Sequence, residues 1–153
     1  MSGTGKSSVI QALSEQGHKA VDTDWNPEWE TPPAPGDPYA DGPGWLWHED
    51  RIDELLATED AEVLFVSACV PNQSMFYSRF DHIVLLTASP ELTVRRLKKR
   101  TNNPYGKSAE DVANVLRFKF TIEPMLRRSA TYEIDTDMPL GDVVARILEI
   151  AGC

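Results

Sequence analysis

The sequence predicts an α/β fold in which a parallel sheet carries helices on both faces. Two short, uninterrupted apolar runs, residues 63–66 and 83–86, have the composition of strands buried on both faces. They alternate along the chain with helical patterns, as parallel strands joined by crossover helices do. A glycine-rich start also runs directly into a predicted helix over residues 6–16. The length of 153 residues favours a single domain over residues 1–153.

The first half of the chain combines short regular elements with one long aromatic segment. Gly17 is expected to end the first helix, because glycine readily takes the left-handed conformation found at helix ends. A strand over 18–22 follows. Residues 25–47 contain all four tryptophans and predict irregular structure, too aromatic for a disordered linker. A helix is expected over 48–57.

The second half contains clear helix-start patterns. Ser89 followed by Pro90 predicts an N-cap and a helix running to about Arg100. Ser108 and Asp111 have the spacing of a capping box, which predicts a longer helix. The further elements expected after the break at 101–107 are a helix over 109–128, a strand over 131–134 and a helix over 140–150.

The first eight residues contain a recognisable phosphate-binding pattern. Gly5-Lys6-Ser7 is the second half of G-x-x-x-x-G-K-[ST], a loop whose backbone N–H groups and following helix bind phosphate. Lys6 is predicted to bridge the β- and γ-phosphates of ATP, and the Ser7 hydroxyl to ligate Mg²⁺. A chance match is the alternative. The predicted nucleotide-binding residues here are Ser2, Gly3, Thr4, Gly5, Lys6, Ser7 and Ser8.

The first glycine of the pattern would fall one residue before Met1, and no apolar strand precedes the loop. We therefore expect a three-layer α/β/α P-loop NTPase fold whose first central strand is absent from this sequence. Loss of a central strand would remove ladder partners from its neighbours. The expectation is a natural N-terminus that extends further upstream; the alternative is a fold that tolerates the gap with reduced ATP affinity.

Charge is distributed unevenly in this chain of net charge −9. Residues 21–62 contain thirteen acidic residues and one basic residue, whereas residues 95–107 contain six basic residues and no acidic one. The acidic total argues against nucleic-acid binding, and the basic run suggests a local anion site, with a solvated helix face as the alternative. The sequence contains no run of about 18 apolar residues, so it predicts no membrane-spanning helix. With two isolated cysteines and no signal peptide, we expect a cytoplasmic protein, monomeric or homodimeric.

A pair of carboxylates follows the predicted strand at 18–22. Asp22 and Asp24 are two positions apart on an extended segment, so their side chains point the same way and could serve a metal and a substrate together. An Asx turn that ends the strand is the alternative.

In these motifs the chain resembles the small P-loop kinases, the group that includes adenylate, shikimate and gluconate kinases. It looks closest to uncharacterised bacterial ATP-binding proteins that carry an AAA label. Asp22-Thr23-Asp24 is similar to a segment of shikimate kinase, which implies Asp22 as the Mg²⁺-side carboxylate and Asp24 as the acceptor-side residue and candidate base. Ser67-Ala68-Cys69 departs from a Walker B ending, since it contains no carboxylate.

The resemblance extends to the basic run and the C-terminal loop. Residues 96–100 (RLKKR) are similar to the segment that leads into an adenylate kinase lid, which implies that Arg96 packs on adenine and Arg100 contacts phosphates. Residues 101–107 would form a short lid ending at Lys107. Arg127 and Arg128 resemble lid-following basic residues, with a helix-end charge as an almost equal alternative. The loop 134–139, including Asp137 and Pro139, resembles the loop that borders adenine; a plain turn is the alternative.

The sequence thus predicts a kinase that transfers the γ-phosphoryl group of MgATP to a small-molecule hydroxyl or phosphate, with Lys6, Asp24 and Arg100 as catalytic residues. The cofactors are ATP and Mg²⁺, with Ser7 and Asp22 on the metal. The tryptophan-rich segment 25–50 occupies the acceptor position, although its tryptophans could equally be the segment's own core. The alternative function is a nucleotide-binding regulatory module with weak or no ATPase activity.

Overall fold

The computed structural model describes residues 1–38, 44–99, 101 and 106–153. Within them the chain divides into two compact units, one formed by Met1–Val9 with His82–Cys153 and the other by Ile10–Asp81. The predicted α/β class is confirmed, because helices alternate with short, mostly parallel strand pairs. In the described part of the chain, none of the helices has the length and apolar character needed to cross a membrane.

The unit of residues 10–81 is built around one parallel strand pair. Strand β1 (Lys19–Asp22) pairs with β4 (Leu64–Ser67), with Asp22 opposite Ser67 in the register. The helix that precedes β1 is α1 (Lys6–Glu15), and Gly17, two residues after its end, has the positive φ of 89° expected of a helix-terminating glycine. Helix α2 (Glu49–Leu56) lies between the two strands in sequence.

The aromatic segment contains more regular structure than the sequence predicted. Strands β2 (Glu30–Thr31) and β3 (Leu46–Trp47) form a short antiparallel ladder within the segment expected to be irregular. The expectation was wrong at these positions because a two-residue ladder is too short to produce an alternating apolar pattern.

The core of this unit is assembled around one tryptophan. Trp47 is 4% exposed and packs with Ile52, Val70 and Phe76, and its ring meets that of Phe76 edge-on at 5.5 Å between centroids. Trp29 packs against the same cluster, whereas Trp25 is 60% exposed. The tryptophan segment therefore supplies part of its own core but leaves one indole at the surface.

The other unit contains the second parallel pair, β5 (Val84–Thr87) with β6 (Tyr132–Asp135). Helix α3 (Pro90–Lys99) follows β5, and the Ser89 hydroxyl accepts from the N–H of Leu92 at 3.2 Å, as the predicted N-cap requires. Helix α6 (Leu140–Ala151) follows β6 and ends at Gly152 with φ 75°. The buried apolar side chains of this unit include Leu86, Leu92, Leu97, Val115, Ile134, Val143, Val144 and Ile147.

The helix predicted over 109–128 is divided into α4 (Ala109–Thr121) and α5 (Glu123–Ser129). Ser108 caps α4 as expected, because its hydroxyl accepts from the Asp111 N–H at 3.0 Å. The break falls at Ile122, two residues before Pro124, which has no N–H to continue the helical ladder. The single long helix was therefore a wrong prediction.

The strand ladders are shorter than the continuous parallel sheet that the alternating pattern predicted. Among the described residues, β4 pairs with β1 and β5 pairs with β6, each along one edge. Residues 1–5, ahead of α1, form turns rather than a strand.

Candidate nucleotide-binding site

Backbone carbonyl groups of the predicted phosphate loop accept hydrogen bonds from side chains and from helix α1. The Thr4 hydroxyl donates to the Met1 carbonyl oxygen at 2.9 Å, and Lys6 Nζ donates to the same oxygen at 3.1 Å. The N–H of Val9 donates to the Gly5 carbonyl oxygen at 3.0 Å, which begins helix α1. Thr4 is only 2% exposed, so the middle of the loop is buried while Ser7 and Ser8 are exposed at the helix start.

Two glycines in this loop are required by the backbone. Gly3 and Gly5 have positive φ angles of 79° and 95°, a conformation that residues with a side chain rarely adopt. At Gly3, a Cβ atom would also lie 2.9 Å from the Thr93 methyl carbon. The short motif therefore needs glycine at both positions, as a phosphate-binding loop does.

Arg96 is joined to the phosphate loop and to the loop after β6. Its guanidinium donates to the Thr136 hydroxyl at 2.7 Å, to the Thr136 carbonyl oxygen at 2.7 Å and to the Gly3 carbonyl oxygen at 3.4 Å. Burial lowers the pKa of Arg96, an effect that the charge of Asp137 opposes. The side chain remains a cation, since arginine is protonated throughout the physiological range. The predicted stacking of Arg96 on adenine stays a prediction.

The predicted adenine-bordering loop has an ordinary turn geometry at its surface. Asp137 is exposed, and its N–H donates to the Asp135 carboxylate at 2.9 Å. Pro139 is also exposed, and its carbonyl oxygen accepts from Asp142 N at 3.0 Å as α6 begins. Between them, Thr136 is 2% exposed and is the residue that points inward. The assignment of Asp137 and Pro139 to adenine stays a prediction.

The Asp22-Thr23-Asp24 segment is fixed through its middle residue. Thr23 is 0% exposed, and both its N–H and its hydroxyl donate to the Ser67 carbonyl oxygen, at 3.0 and 2.8 Å. Asp24 Oδ1 accepts from the Cys69 N–H at 2.9 Å, and Asp22 Oδ1 accepts from the Asp24 N–H at 3.4 Å. Both carboxylates are partly exposed. A contact of the type expected for the alternative, an Asx turn, is therefore present, together with a connection to the end of β4.

The predicted metal ligands are both oxygen donors of the type that Mg²⁺ takes, a hydroxyl and a carboxylate. Ser7 and Asp22 belong to different units, and their joint role stays a prediction. Across the described ranges, no cluster of three or more His, Cys, Asp and Glu side chains could hold a metal ion. The Ser67 hydroxyl lies at the strand end where a Walker B motif has a carboxylate, and it is buried with no hydrogen-bond partner among the described residues.

The predicted lid lies largely outside the described residues. Arg100 also lies outside them, so the catalytic role of Arg100 stays a prediction. At the lid's end, the Lys107 ammonium donates to the Lys98 carbonyl oxygen at 2.7 Å. Gly106 has φ 93°, and a Cβ there would lie 2.8 Å from a methyl carbon of Leu97. The end of this segment is therefore packed closely against α3.

The guanidinium of Arg127 is hydrogen-bonded to two carboxylates. Its guanidinium binds Glu133 at 2.7 and 2.9 Å and Glu123 at 3.0 Å, and these hydrogen bonds raise its pKa. Glu123 is 6% exposed and also accepts from Lys119 at 2.6 Å. This geometry favours the structural interpretation of Arg127 over a phosphate contact.

Sequence reasoning overlooked Thr136 and Trp47. Thr136 lies in a segment that the resemblance had marked, but the Thr4 carbonyl oxygen that its hydroxyl contacts is 132 residues away. The indole N–H of Trp47 donates to the Thr23 hydroxyl at 2.8 Å. Neither partner can be identified from local patterns, because each pairing depends on the tertiary fold.

The glycine-dependent loop at a helix start, its lysine and the parallel strand pairs together define a P-loop nucleotide-binding domain. A model of the AAA domain family matches residues 1–117. The chain belongs to that family. No curated protein matches the chain.

Proposed function

We propose that the protein is an ATP-dependent small-molecule kinase, which transfers the γ-phosphoryl group of MgATP to an acceptor hydroxyl or phosphate. The observation that carries this proposal is the geometry of Asp22-Thr23-Asp24. Nucleotide-binding loops also serve motors and switches. A pair of part-exposed carboxylates, held by a fully buried threonine at the end of a parallel strand, supplies groups that a nucleotide sensor does not need.

In this proposal the residues of the phosphate loop position ATP. The N–H groups of the loop and the start of α1 bind phosphate oxygens, and the Lys6 ammonium neutralises charge on the β- and γ-phosphates. The Ser7 hydroxyl and the Asp22 carboxylate are the groups that would hold Mg²⁺. The metal would neutralise charge that develops on the transferring group.

Asp24 acts as the base for the acceptor. Its carboxylate takes the proton of the acceptor hydroxyl while that oxygen forms a bond to the γ-phosphorus, and the bond from this phosphorus to the β-phosphate oxygen breaks to release ADP. The hydrogen bond from Cys69 N–H at 2.9 Å fixes the direction of the carboxylate. Arg100 supplies positive charge to the transferring group. Positioning and charge neutralisation account for most of the rate in such reactions.

The acceptor is proposed to bind along residues 25–50. Trp25 directly follows the base, has a positive φ of 58° and exposes 60% of its surface. An exposed indole beside the catalytic base Asp24 offers a stacking surface for the flat face of a nucleobase or a sugar. The acidity of this segment favours a neutral or weakly anionic acceptor over a polyphosphorylated one.

A second candidate function is a nucleotide-binding regulatory module with weak hydrolysis. The same exposed Trp25 favours it, because a large aromatic side chain at the surface of an acidic segment also suits a protein partner. Transfer to an added acceptor separates the two functions, since a regulatory module would hydrolyse ATP at the same rate whatever is added.

The test is ADP release from MgATP with nucleoside monophosphates, nucleosides, sugar acids or shikimate added singly, in the native chain and in Lys6→Ala. We expect one acceptor class to accelerate release and the variant to lose turnover while it keeps its fold by circular dichroism. Slow release whatever is added would contradict the kinase proposal. A Lys6→Ala variant that keeps most of its activity would contradict the assignment of the phosphate loop.

A further inference from the structure

The hydrogen bonds around Thr136 connect four parts of one unit through a single hydroxyl. Its oxygen lies 3.0 Å from the Thr4 carbonyl oxygen and 2.9 Å from that of Thr87, and it accepts from Arg96 at 2.7 Å. The Thr136 N–H also donates to Thr87 O at 2.8 Å, which holds the residue against the end of β5. The phosphate loop, β5, α3 and the loop after β6 therefore meet at one buried side chain, which is 2% exposed.

We propose that Thr136 and Arg96 form a backbone clamp that orients the N–H groups of the phosphate loop, so that both are positioning residues for phosphate binding. We define the clamp as these two side chains together with the carbonyl groups of Gly3 and Thr4. This inference rests on the proposed nucleotide function, and it assigns a role to Thr136 rather than to its exposed neighbours Asp137 and Pro139.

The physical argument follows from the planar trans peptide bond. In each peptide plane the carbonyl group and the N–H of the next residue point in opposite directions. The described part of the chain contains no cis peptide bond. When Arg96 holds the Gly3 carbonyl and Thr136 holds the Thr4 carbonyl, the N–H groups of Thr4 and Gly5 are directed away from α3 and Thr136.

The neighbouring peptide planes of the loop are fixed in the same manner. The Met1 carbonyl accepts from the Thr4 hydroxyl and from Lys6, and the Gly5 carbonyl accepts from Val9 N–H. Of the peptide planes between these two, the clamp fixes those of the Gly3 and Thr4 carbonyl groups. Without the clamp, these peptide planes could rotate, because Gly3 and Gly5 have no Cβ and therefore few steric restrictions on their backbone angles.

The hydrogen bonds of the clamp are compatible with phosphate binding at the loop. Because the Thr136 hydroxyl has one proton, it donates to one of the two carbonyl oxygens at a time and accepts the guanidinium N–H with a lone pair. Arg96 binds neutral oxygens through all three of its hydrogen bonds described above, and so keeps its positive charge close to the loop. An aligned set of N–H groups beside a cation favours phosphate binding.

The experiment measures MgADP affinity by isothermal titration calorimetry in the full chain, with the melting temperature recorded for each variant. Thr136→Val keeps the shape and removes the hydroxyl, and Thr136→Ser restores the hydroxyl. Thr131→Val is the matched control, because the Thr131 hydroxyl also bonds a backbone carbonyl, that of Ile83, at the start of β6. We expect Thr136→Val to weaken MgADP binding about tenfold.

Thr136→Ser should stay within about threefold of the native affinity, and Thr131→Val should lower the melting temperature without changing affinity. Native affinity in Thr136→Val, or an equal loss in Thr131→Val, would overturn the clamp. If Thr136→Val does not fold, Arg96→Lys replaces it and is titrated with magnesium pyrophosphate, which has no adenine: a several-fold loss supports the clamp and an unchanged affinity overturns it. A native chain that does not bind MgADP at all would overturn the proposed function, and the clamp with it.

Discussion

The indole N–H of Trp47 donates to the hydroxyl of Thr23 at 2.8 Å, and both side chains are almost completely buried. The Thr23 hydroxyl in turn donates to the Ser67 carbonyl oxygen. A tryptophan of the aromatic segment is therefore hydrogen-bonded to the middle residue of the carboxylate pair. This contact connects the core of the unit to the residues proposed to carry the chemistry.

Trp47→Phe should destabilise the protein by about 1–2 kcal/mol, because it keeps an aromatic ring beside Phe76 but removes a buried hydrogen bond. Trp25→Phe is the control, since Trp25 is exposed and its replacement should change the free energy of unfolding by less than about 0.5 kcal/mol. Urea unfolding followed by circular dichroism measures both. A larger loss in the Trp25 variant would contradict the role of Trp47.

Arg100→Ala should lower kcat about a hundredfold or more while changing ATP affinity much less. A lid arginine acts mainly on the charge that develops in the transition state. Steady-state kinetics with the acceptor, together with a separate ATP titration, distinguish the two effects. Equal losses in kcat and in affinity would make Arg100 an ordinary binding residue.

Glu123→Gln should destabilise the protein by about 2–3 kcal/mol, because it leaves the nearly buried ammonium of Lys119 without its carboxylate. Glu133→Gln is the matched control, since Glu133 forms a similar pair with Arg127 but is more exposed. Its loss should stay below about 1 kcal/mol. Denaturant unfolding at neutral pH compares them, and equal losses would show that burial does not decide the strength of these pairs.

The contribution of Glu133 should depend on pH. The hydrogen bond from Arg127 holds the pKa of Glu133 below its ordinary value of 4.5. With a lowered pKa in the folded state, the unfolded state binds more protons in the acid range, so the stabilisation is present above pH 4.5 and is lost as pH falls through the folded value. The stability difference between the native chain and Glu133→Gln should therefore shrink on acidification. Unfolding curves measured across this range test the expectation, and a difference that grows in acid would refute it.

An apolar strand ending in glycine, fused ahead of Met1, should raise the melting temperature. Among the described residues, β4 and β5 each pair along one edge, and the unpaired backbone groups of an edge favour addition of a further strand. A fused segment of equal length with a scrambled polar sequence is the control. Equal melting temperatures for the two fusions would show that no strand pairing occurs.

Local patterns predicted most of the elements of the fold. Ser89 and Ser108 identified helix starts, Gly17 identified a helix end, and the apolar runs lie within one residue of β4 and β5. These features depend on residues close in sequence, so they can be recognised without the fold. The division at Ile122 could have been recognised as well, because Pro124 cannot donate the helical hydrogen bond.

The sequence by itself determined the nucleotide-binding class, since Gly3, Gly5 and Lys6 carry the chemistry of a phosphate loop within four consecutive residues. Only the tertiary structure decided which side chains hold that chemistry in place. Thr136 meets Thr4 across 132 residues, and Trp47 meets Thr23 across 24. The residues around a threonine or a tryptophan do not show which distant group it will bind, because packing decides which polar groups meet in a buried hydrogen bond.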